Sequence, residues 1–298
     1  MKIDTITSAR VCVEAPAKIN LFLEIRNRRP DGYHEINSLF QAVSLHDRLT
    51  LTLTDDPDVA LTIDSLIPLS AGEDNLVVRA IRLVLRESGL SRGVRAHLDK
   101  RIPIAAGLGG GSSDAAAAIE GLSALLRLGL STADKMRLGL QLGSDMPFFF
   151  TSGQALVTGR GEVLQETGYP IDYHLILINP GFPVGTAEAY GALKRGLTAS
   201  GDPFTLPCSR TVQDFVLHVG RGGNDFEPVL RRRHPELGVI VEELKNRGAV
   251  VARLSGSGPT VFGLFLDRTA SETMFEADWG KWQIFAATPV SLPAPASK

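Results

Sequence analysis

Cysteine is scarce. Cys12 and Cys208 are the only two in 298 residues, too few and too distant for a disulfide framework and without the spacing of a zinc site. Both read as packing residues, and their scarcity fits a reducing compartment. No charge is in surplus either. The 31 basic and 33 acidic residues are well mixed and leave a net charge of −2, which argues against a nucleic-acid surface or a polybasic membrane anchor. The densest basic run, Arg231-Arg232-Arg233, falls in a helical pattern and reads as a solvated face. No apolar run approaches a membrane span, and MKIDTITSARVCVEAP at the start has no apolar core of the signal-peptide kind. Internal repeats are missing, and only Pro293 to Lys298 look like a frayed tail. These absences predict a cytoplasmic protein that partners with neither membrane nor nucleic acid. Its length, with 44% hydrophobic residues, suffices for two modest domains.

What the chain does have is clustered glycine. The stretch Ile102 to Ala118, IPIAAGLGGGSSDAAAA, carries Gly107, Gly109, Gly110 and Gly111 and runs into an alanine-rich helix. Missing Cβ atoms let a bulky anion reach the backbone, and φ > 0 lets successive N–H groups converge. Ser112 or Ser113 is expected to cap the helix, whose first-turn N–H groups and dipole favour negative charge at the same place. Two familiar phosphate loops are nonetheless absent. No Lys follows the last glycine, so this is not a Walker A loop, and Ser112 stands where the dinucleotide fingerprint needs its final glycine. Glycine-rich turns also join strands to helices with no ligand, so the loop alone does not decide.

Taken in order, residues 9–15 and 19–25 alternate like two strands joined at Pro16-Ala17-Lys18. Lys18 sits at the break, and Asn20 faces away from the apolar row; either a surface lysine or a substrate contact fits. Arg28 to His34 forms a turn that presents Tyr33 and His34, which could stack on a base or simply fill space. Strands follow at 36–43 and 48–54, and Asp74 or Asn75 caps a helix reaching Gly89. Val94 to Leu98 alternates as a strand into the glycine loop. A helix from Ser113 to about Leu128 stops at Gly129, and Ser131 with Asp134 caps another ending near Gly143. Asp145 then precedes Pro147-Phe148-Phe149-Phe150, where a carboxylate is costly unless hydrogen-bonded or paired with a cation. A strand at 155–159 and the turn Gly159-Arg160-Gly161 precede a change of pattern near residue 165. Beyond it come the strand HLILIN, helices over 186–195, 211–219 and 225–247, and a second small-residue loop, Ser255 to Thr260, between strands VVARL and VFGLF. Two such loops in separate halves suggest a ligand held between domains.

Pro16 to Lys18, Pro103 to Ser113 and Ser255 to Gly258 match one superfamily in order and spacing: the sequence resembles the GHMP kinases. APAKINLFLEI, DGYHEINSLFQ, EDNLVVRA, IPIAAGLGGGSSDAA, GSDMPFFF, NDFE and LSGSGPT extend the resemblance over nearly the whole chain, toward the branch serving the non-mevalonate isoprenoid pathway. The resemblance implies an α+β fold of two domains, an N-terminal ATP-binding domain over 1–165 and a C-terminal ferredoxin-like domain over 166–298. It implies transfer of the ATP γ-phosphate to the 2-hydroxyl of a small molecule, 4-diphosphocytidyl-2-C-methyl-D-erythritol, with Asp145 as catalytic base and Lys18 beside it.

For ATP it implies Pro103, Ile104, Ala105, Ala106, Gly107, Leu108, Gly109, Gly110, Gly111, Ser112 and Ser113, with Asn75 and Lys100 around the nucleoside. For the acceptor, Asn20 orients the methylerythritol end. Tyr33 stacks on cytosine, His34 hydrogen-bonds it and Tyr190 closes the stack, while Thr186, Ser255, Gly256 and Ser257 complete the substrate side. Mg²⁺ is expected over the phosphates, with Ser113 near it and no carboxylate assigned. A monomer or weak homodimer is expected. The alternatives are a related kinase acting on homoserine, mevalonate or a sugar, for which a base-stacking clamp has no use, and a nucleotide sensor, for which Lys18 and Asp145 have none.

Overall fold

The organising element is a long strand that breaks register three times, twice between residues 16 and 22. In the computed structural model, which describes residues 1–193 and 202–293, the two strands expected at 9–15 and 19–25 are one, β2 (Arg10–Arg28), paired antiparallel with β3 (His34–Thr54). Likewise 36–43 and 48–54 are both parts of β3. The register shifts between Pro16 and Lys18 and again between Asn20 and Phe22. Proline has no N–H to give the ladder, so a local bulge replaces the expected break.

β1 (Lys2–Ile6), β4 (Val59–Asp64) and β5 (Gly93–Asp99) complete the path β1-β2-β3-β5-β4, in which only β4 and β5 run parallel. β6 (Gln154–Thr158) adds to β3 and β7 (Val163–Glu166) to β6, giving seven strands. Helices α1 (Leu76–Glu87), α2 (Gly110–Leu125) and α3 (Thr132–Leu140) accompany this sheet. α2 packs its alanines so closely on β2 that a Cβ at Gly121 would stand 3.0 Å from both Leu51 and Val13 side chains.

The second sheet has the order β11-β8-β10-β9, built from β8 (His174–Asn179), β9 (Val251–Leu254), β10 (Val261–Phe265) and β11 (Gln283–Ala287). With it come α4 (Thr186–Ala192), α5 (Val212–Arg221), α6 (Glu227–Arg233), α7 (Pro235–Asn246) and α8 (Arg268–Glu276). The end expected for α4 at Arg195 and the tail beyond Pro293 lie outside the described residues. The single helix expected over 225–247 is two, α6 and α7, because Pro235 disfavours helical geometry at His234 and restarts the helix behind it. Buried residues from both halves, Ala17, Ile19 and Leu21 with Leu175, Phe215 and Phe262, share one apolar cluster. The chain end also returns: Val290 N–H donates to Ala42 O at 2.9 Å and Leu292 N–H to Ser152 O at 2.8 Å.

Candidate active site

The first two slips in β2 receive the two glycine loops. At the first, the Lys18 N–H donates to Leu108 O at 2.9 Å, and near the second the Asn20 N–H donates to Ser255 Oγ at 3.3 Å. Ser255 in turn donates to Gly107 O at 3.0 Å, so strand and loops form one unit. A Cβ on Gly107, whose φ is +75°, would stand 2.1 Å from Ser255 O, and one on Gly109 would stand 2.9 Å from Lys18 Cγ. Glycine is therefore required at both positions, for the left-handed backbone and for the close packing against Ser255 and Lys18. Ala105 also holds a left-handed φ of +50°, in a loop pinned to the C-terminal half by Thr260 N–H donating to Ala106 O at 3.3 Å.

The loop delivers its backbone to α2, whose cap is Gly109 at φ +69° without a side-chain cap bond. The expected serine cap is thus corrected: Ser112 and Ser113 lie inside the first turn. Ser113 is fully buried and donates to Pro16 O at 2.7 Å, which fastens α2 to the first slip and turns its hydroxyl from the cavity. Ser255, also fully buried, stands behind its loop and does not face the cavity. Both serines act between elements. Every other residue of the expected site lines one cavity of about 980 Å³ between the two halves.

Lys18 and Asp145 meet in that cavity, Nζ to Oδ2 at 3.6 Å. Lys18 is buried, donates from Nζ to Asn20 Oδ1 at 2.7 Å and lies 4.3 Å from the Phe40 ring centroid. Asn20 Nδ2 donates to Ser38 Oγ at 2.9 Å, which leaves its Oδ1 for the lysine. Burial pushes the Lys18 ammonium below the ordinary lysine value, and Asp145 offsets that only in part. Asp145 has 37% of its side chain exposed, toward the cavity.

Lys100, expected beside the nucleoside, has other partners. Its Nζ donates to Asp47 Oδ2 at 2.5 Å and to Asp114 Oδ2 at 2.7 Å. Asp47 Oδ1 accepts the N–H groups of Arg101 at 2.6 Å and Ile102 at 2.8 Å, so the ion triad ties the loop's entry to α2. Burial opposes the Lys100 charge, but Asp114 and Asp47 together hold its ammonium above the usual value. Burial, with Asp47 close by, pushes the Asp114 carboxyl well up, and its Oδ1 has no hydrogen-bond partner. Asn75 caps α1 through Oδ1, which accepts from Val77 N–H at 2.9 Å.

At the far end, His34 stacks on Tyr190 with centroids 5.0 Å apart and planes 20° from parallel. Phe226 meets Tyr190 edge-on at 4.9 Å. Burial, then the charge of Asp145, pushes the Tyr190 phenol up to about 12, keeping it a neutral donor. Tyr33 is mostly exposed, and the Arg160 guanidinium lies 5.1 Å from its ring centroid. Thr186 Oγ1 and Ser257 Oγ are 3.3 Å apart on the opposite wall. Sequence reasoning assigned no role to Arg160, Phe226, Asp47 or Asp114; lone charges and an aromatic carry no signal until distant partners are known.

A glycine loop at a helix N-terminus, facing a buried lysine paired with a carboxylate, defines a phosphotransferase site of the GHMP kinase class. The family model "GHMP kinases N terminal domain" matches residues 75–153, and "GHMP kinases C terminal" matches 215–277. The chain is 42% identical over 285 residues to a 4-diphosphocytidyl-2-C-methyl-D-erythritol kinase of Syntrophotalea carbinolica, covering 93% of this chain and 98% of that one. A protein of the same name from Geobacter metallireducens is 42% identical over 253 residues, covering 85% and 88% of the two chains. The chain belongs to the 4-diphosphocytidyl-2-C-methyl-D-erythritol kinase family of GHMP kinases. Among solved structures, a 4-(cytidine 5'-diphospho)-2C-methyl-D-erythritol kinase superposes with a TM-score of 0.74 at 34% identity, covering 94% of this chain and 99% of that one. A homoserine kinase from Cytophaga hutchinsonii gives a TM-score of 0.74 at 20% identity, covering 99% of each chain, and shares the fold. Among the described residues no helix is long and apolar enough to cross a membrane.

Proposed function

We propose that the chain transfers the γ-phosphoryl group of ATP to the 2-hydroxyl of 4-diphosphocytidyl-2-C-methyl-D-erythritol. The observation that carries this reading is the Lys18–Asp145 pair at 3.6 Å, in the same cavity as the glycine loop and the aromatic group of Tyr33, His34 and Tyr190. A simple alcohol has no use for that aromatic group, whereas a cytosine base does. Asp145 accepts the hydroxyl proton as the acceptor oxygen bonds to γ-phosphorus and the bridging oxygen leaves with ADP. Lys18, held by Asn20, offsets the negative charge of Asp145 and of the transferring group. The loop N–H groups from Gly107 to Gly111 take the phosphates, and Thr186 with Ser257 bounds the acceptor.

The cradle fits a triphosphate, because Gly107, Gly109, Gly110 and Gly111 line the cavity with side-chain-free backbone at the start of α2, whose cap carries no side-chain hydrogen bond. Mg²⁺ would be held by phosphate oxygens and the Ser112 hydroxyl, which lines the cavity, since Ser113 is committed to Pro16 and Asp114 is buried against Lys100. When bound it supplies charge neutralisation over the β- and γ-phosphates. We place the enzyme in the cytoplasm, on its scarce cysteine and mixed charge.

The test is ADP release from ATP and Mg²⁺ with the cytidyl compound offered beside methylerythritol phosphate, homoserine and mevalonate. Turnover with the cytidyl compound alone is expected. Turnover with another alcohol would remove the acceptor assignment and keep the kinase, and ATP binding without turnover would leave a sensor.

A further inference from the structure

The acceptor proposed above carries a base at one end, the reacting hydroxyl at the other and a diphosphate between them. A cavity that takes it must supply a cation along that middle stretch, or desolvating the two charges goes unrepaid. Among the described residues, the lysines and arginines lining the cavity are Lys18, Lys100 and Arg160. Lys18 is engaged by Asn20 and Asp145, and Lys100 by Asp47 and Asp114. Arg160 is in no ion pair within 4.0 Å among the described residues. Asp31, whose carboxyl feels the Arg160 charge, is itself bonded to Arg29 at 3.1 Å.

Position supports the same residue. Arg160 sits in a turn whose backbone is fixed on every side. Ile36 N–H donates to Gly159 O at 2.8 Å, Gly159 N–H to Glu35 Oε1 at 2.9 Å, and Arg160 N–H to Glu162 Oε2 at 2.6 Å. Gly161, at φ +123°, comes so near the reacting end that a Cβ there would stand 3.1 Å from Asp145 Oδ1. The guanidinium, by contrast, reaches the face of Tyr33 at the base end. One side chain therefore spans the interval between base and hydroxyl, anchored at its root and with its guanidinium against the Tyr33 face in no ion pair among the described residues.

We propose that Arg160 receives the diphosphate of the acceptor, its fork of donors gripping the phosphate oxygens, and so selects an alcohol linked to a nucleoside diphosphate over a free alcohol or a monophosphate. This rests on the acceptor reading given above. The reaction keeps its Asp145 and Lys18 chemistry; Arg160 acts in binding and positioning.

Titration calorimetry with CDP and with cytidine, on the wild-type chain and on Arg160→Met and Arg160→Lys, separates the possibilities. The wild type is expected to bind CDP at least about tenfold more tightly than cytidine, in line with charge-assisted hydrogen bonds. Arg160→Met should lose that preference while cytidine and ATP affinities stay within about twofold, which also serves as the control for folding. Arg160→Lys should fall between, as a point charge without the fork. Equal CDP affinity in wild type and Arg160→Met would overturn the proposal. So would a matching loss of ATP affinity, which would put Arg160 on the donor side. A wild-type chain that binds neither CDP nor cytidine would instead overturn the acceptor reading on which the proposal rests.

Discussion

Lys18 is the residue on which architecture and chemistry coincide. Its backbone holds the phosphate loop and its ammonium faces Asp145, in a setting whose burial opposes the charge. Because its value is lowered on folding, the cation is the form that the fold disfavours, and stability tied to the neutral amine is lost as pH falls through the folded value. In the proposed mechanism Lys18 acts as the cation, so kcat/KM, which reports the free enzyme, should decline on the alkaline side with a midpoint below the ordinary lysine value of 10.5. A pH–rate profile checks this, and a limb at or above that value would belong to another group. Asp145→Asn keeps shape and removes proton acceptance. It should lower kcat by at least about a hundredfold, in the range for loss of a general base, with ATP affinity unchanged. A small loss in kcat would reduce Asp145 to a positioning group. At this scale the sequence exposed what is locally odd: four clustered glycines, a lysine at a strand break, a carboxylate before an aromatic run. It could not expose Ser113, Ser255 or Lys100, whose roles depend on Pro16, Gly107 and Asp47, all distant in the chain.

Among elements, the join between β5 and α2 carries the most concentrated charge. Asp47, Lys100 and Asp114 are each nearly inaccessible, and they fasten the start of the phosphate loop to the helix that ends it. Removing one member of a buried ion group leaves the others uncompensated, so Lys100→Met should cost about 3–5 kcal/mol of stability. Thermal unfolding would show it, and adding Asp47→Asn and Asp114→Asn to Lys100→Met should recover part of the loss. A Lys100→Met chain as stable as wild type would mean that the triad is no brace. Helices with clear caps were legible: Ser131 with Asp134 forms the expected capping box, and Asn75 caps α1. Strand continuity was not. A bulge at Pro16 and a true break look alike in sequence, and β1, β4 and β11 lie at sheet edges, where alternation is weak.

The whole molecule is less divisible than its two sheets suggest. Buried side chains from residues 17–43 and 173–287 share a cluster, Asn224 Nδ2 donates to Leu254 O at 2.8 Å and Gly256 O at 2.9 Å, and residues 288–292 return to β3 and the 150s loop. Ending the chain after Ala287 removes Thr288, Val290 and Leu292 from those pairings, although it touches no cavity-lining residue. We expect a lower Tm and a single unfolding transition for both chains, measured by calorimetry. Two separate transitions in the full chain would indicate halves that melt independently. The gap between β7, ending at Glu166, and β8, starting at His174, falls where the sequence pattern changes. The returning tail was not legible in the sequence, since nothing local marks Thr288 for Ser44, 244 residues away.

The slipped strand β2 has one more consequence, a matter of parity. Lys18 and Asn20 are two residues apart, so strand geometry turns both toward the same side, and Leu108 and Ser255 accept the N–H groups of these same two residues. Losing or gaining a single residue there would invert the facing of one and leave both glycine loops holding the wrong amides. Substitutions along β2 can be absorbed one by one, but its length between Pro16 and Phe22 is fixed to the residue, and that count of links, more than any one side chain, keeps donor and acceptor in phase.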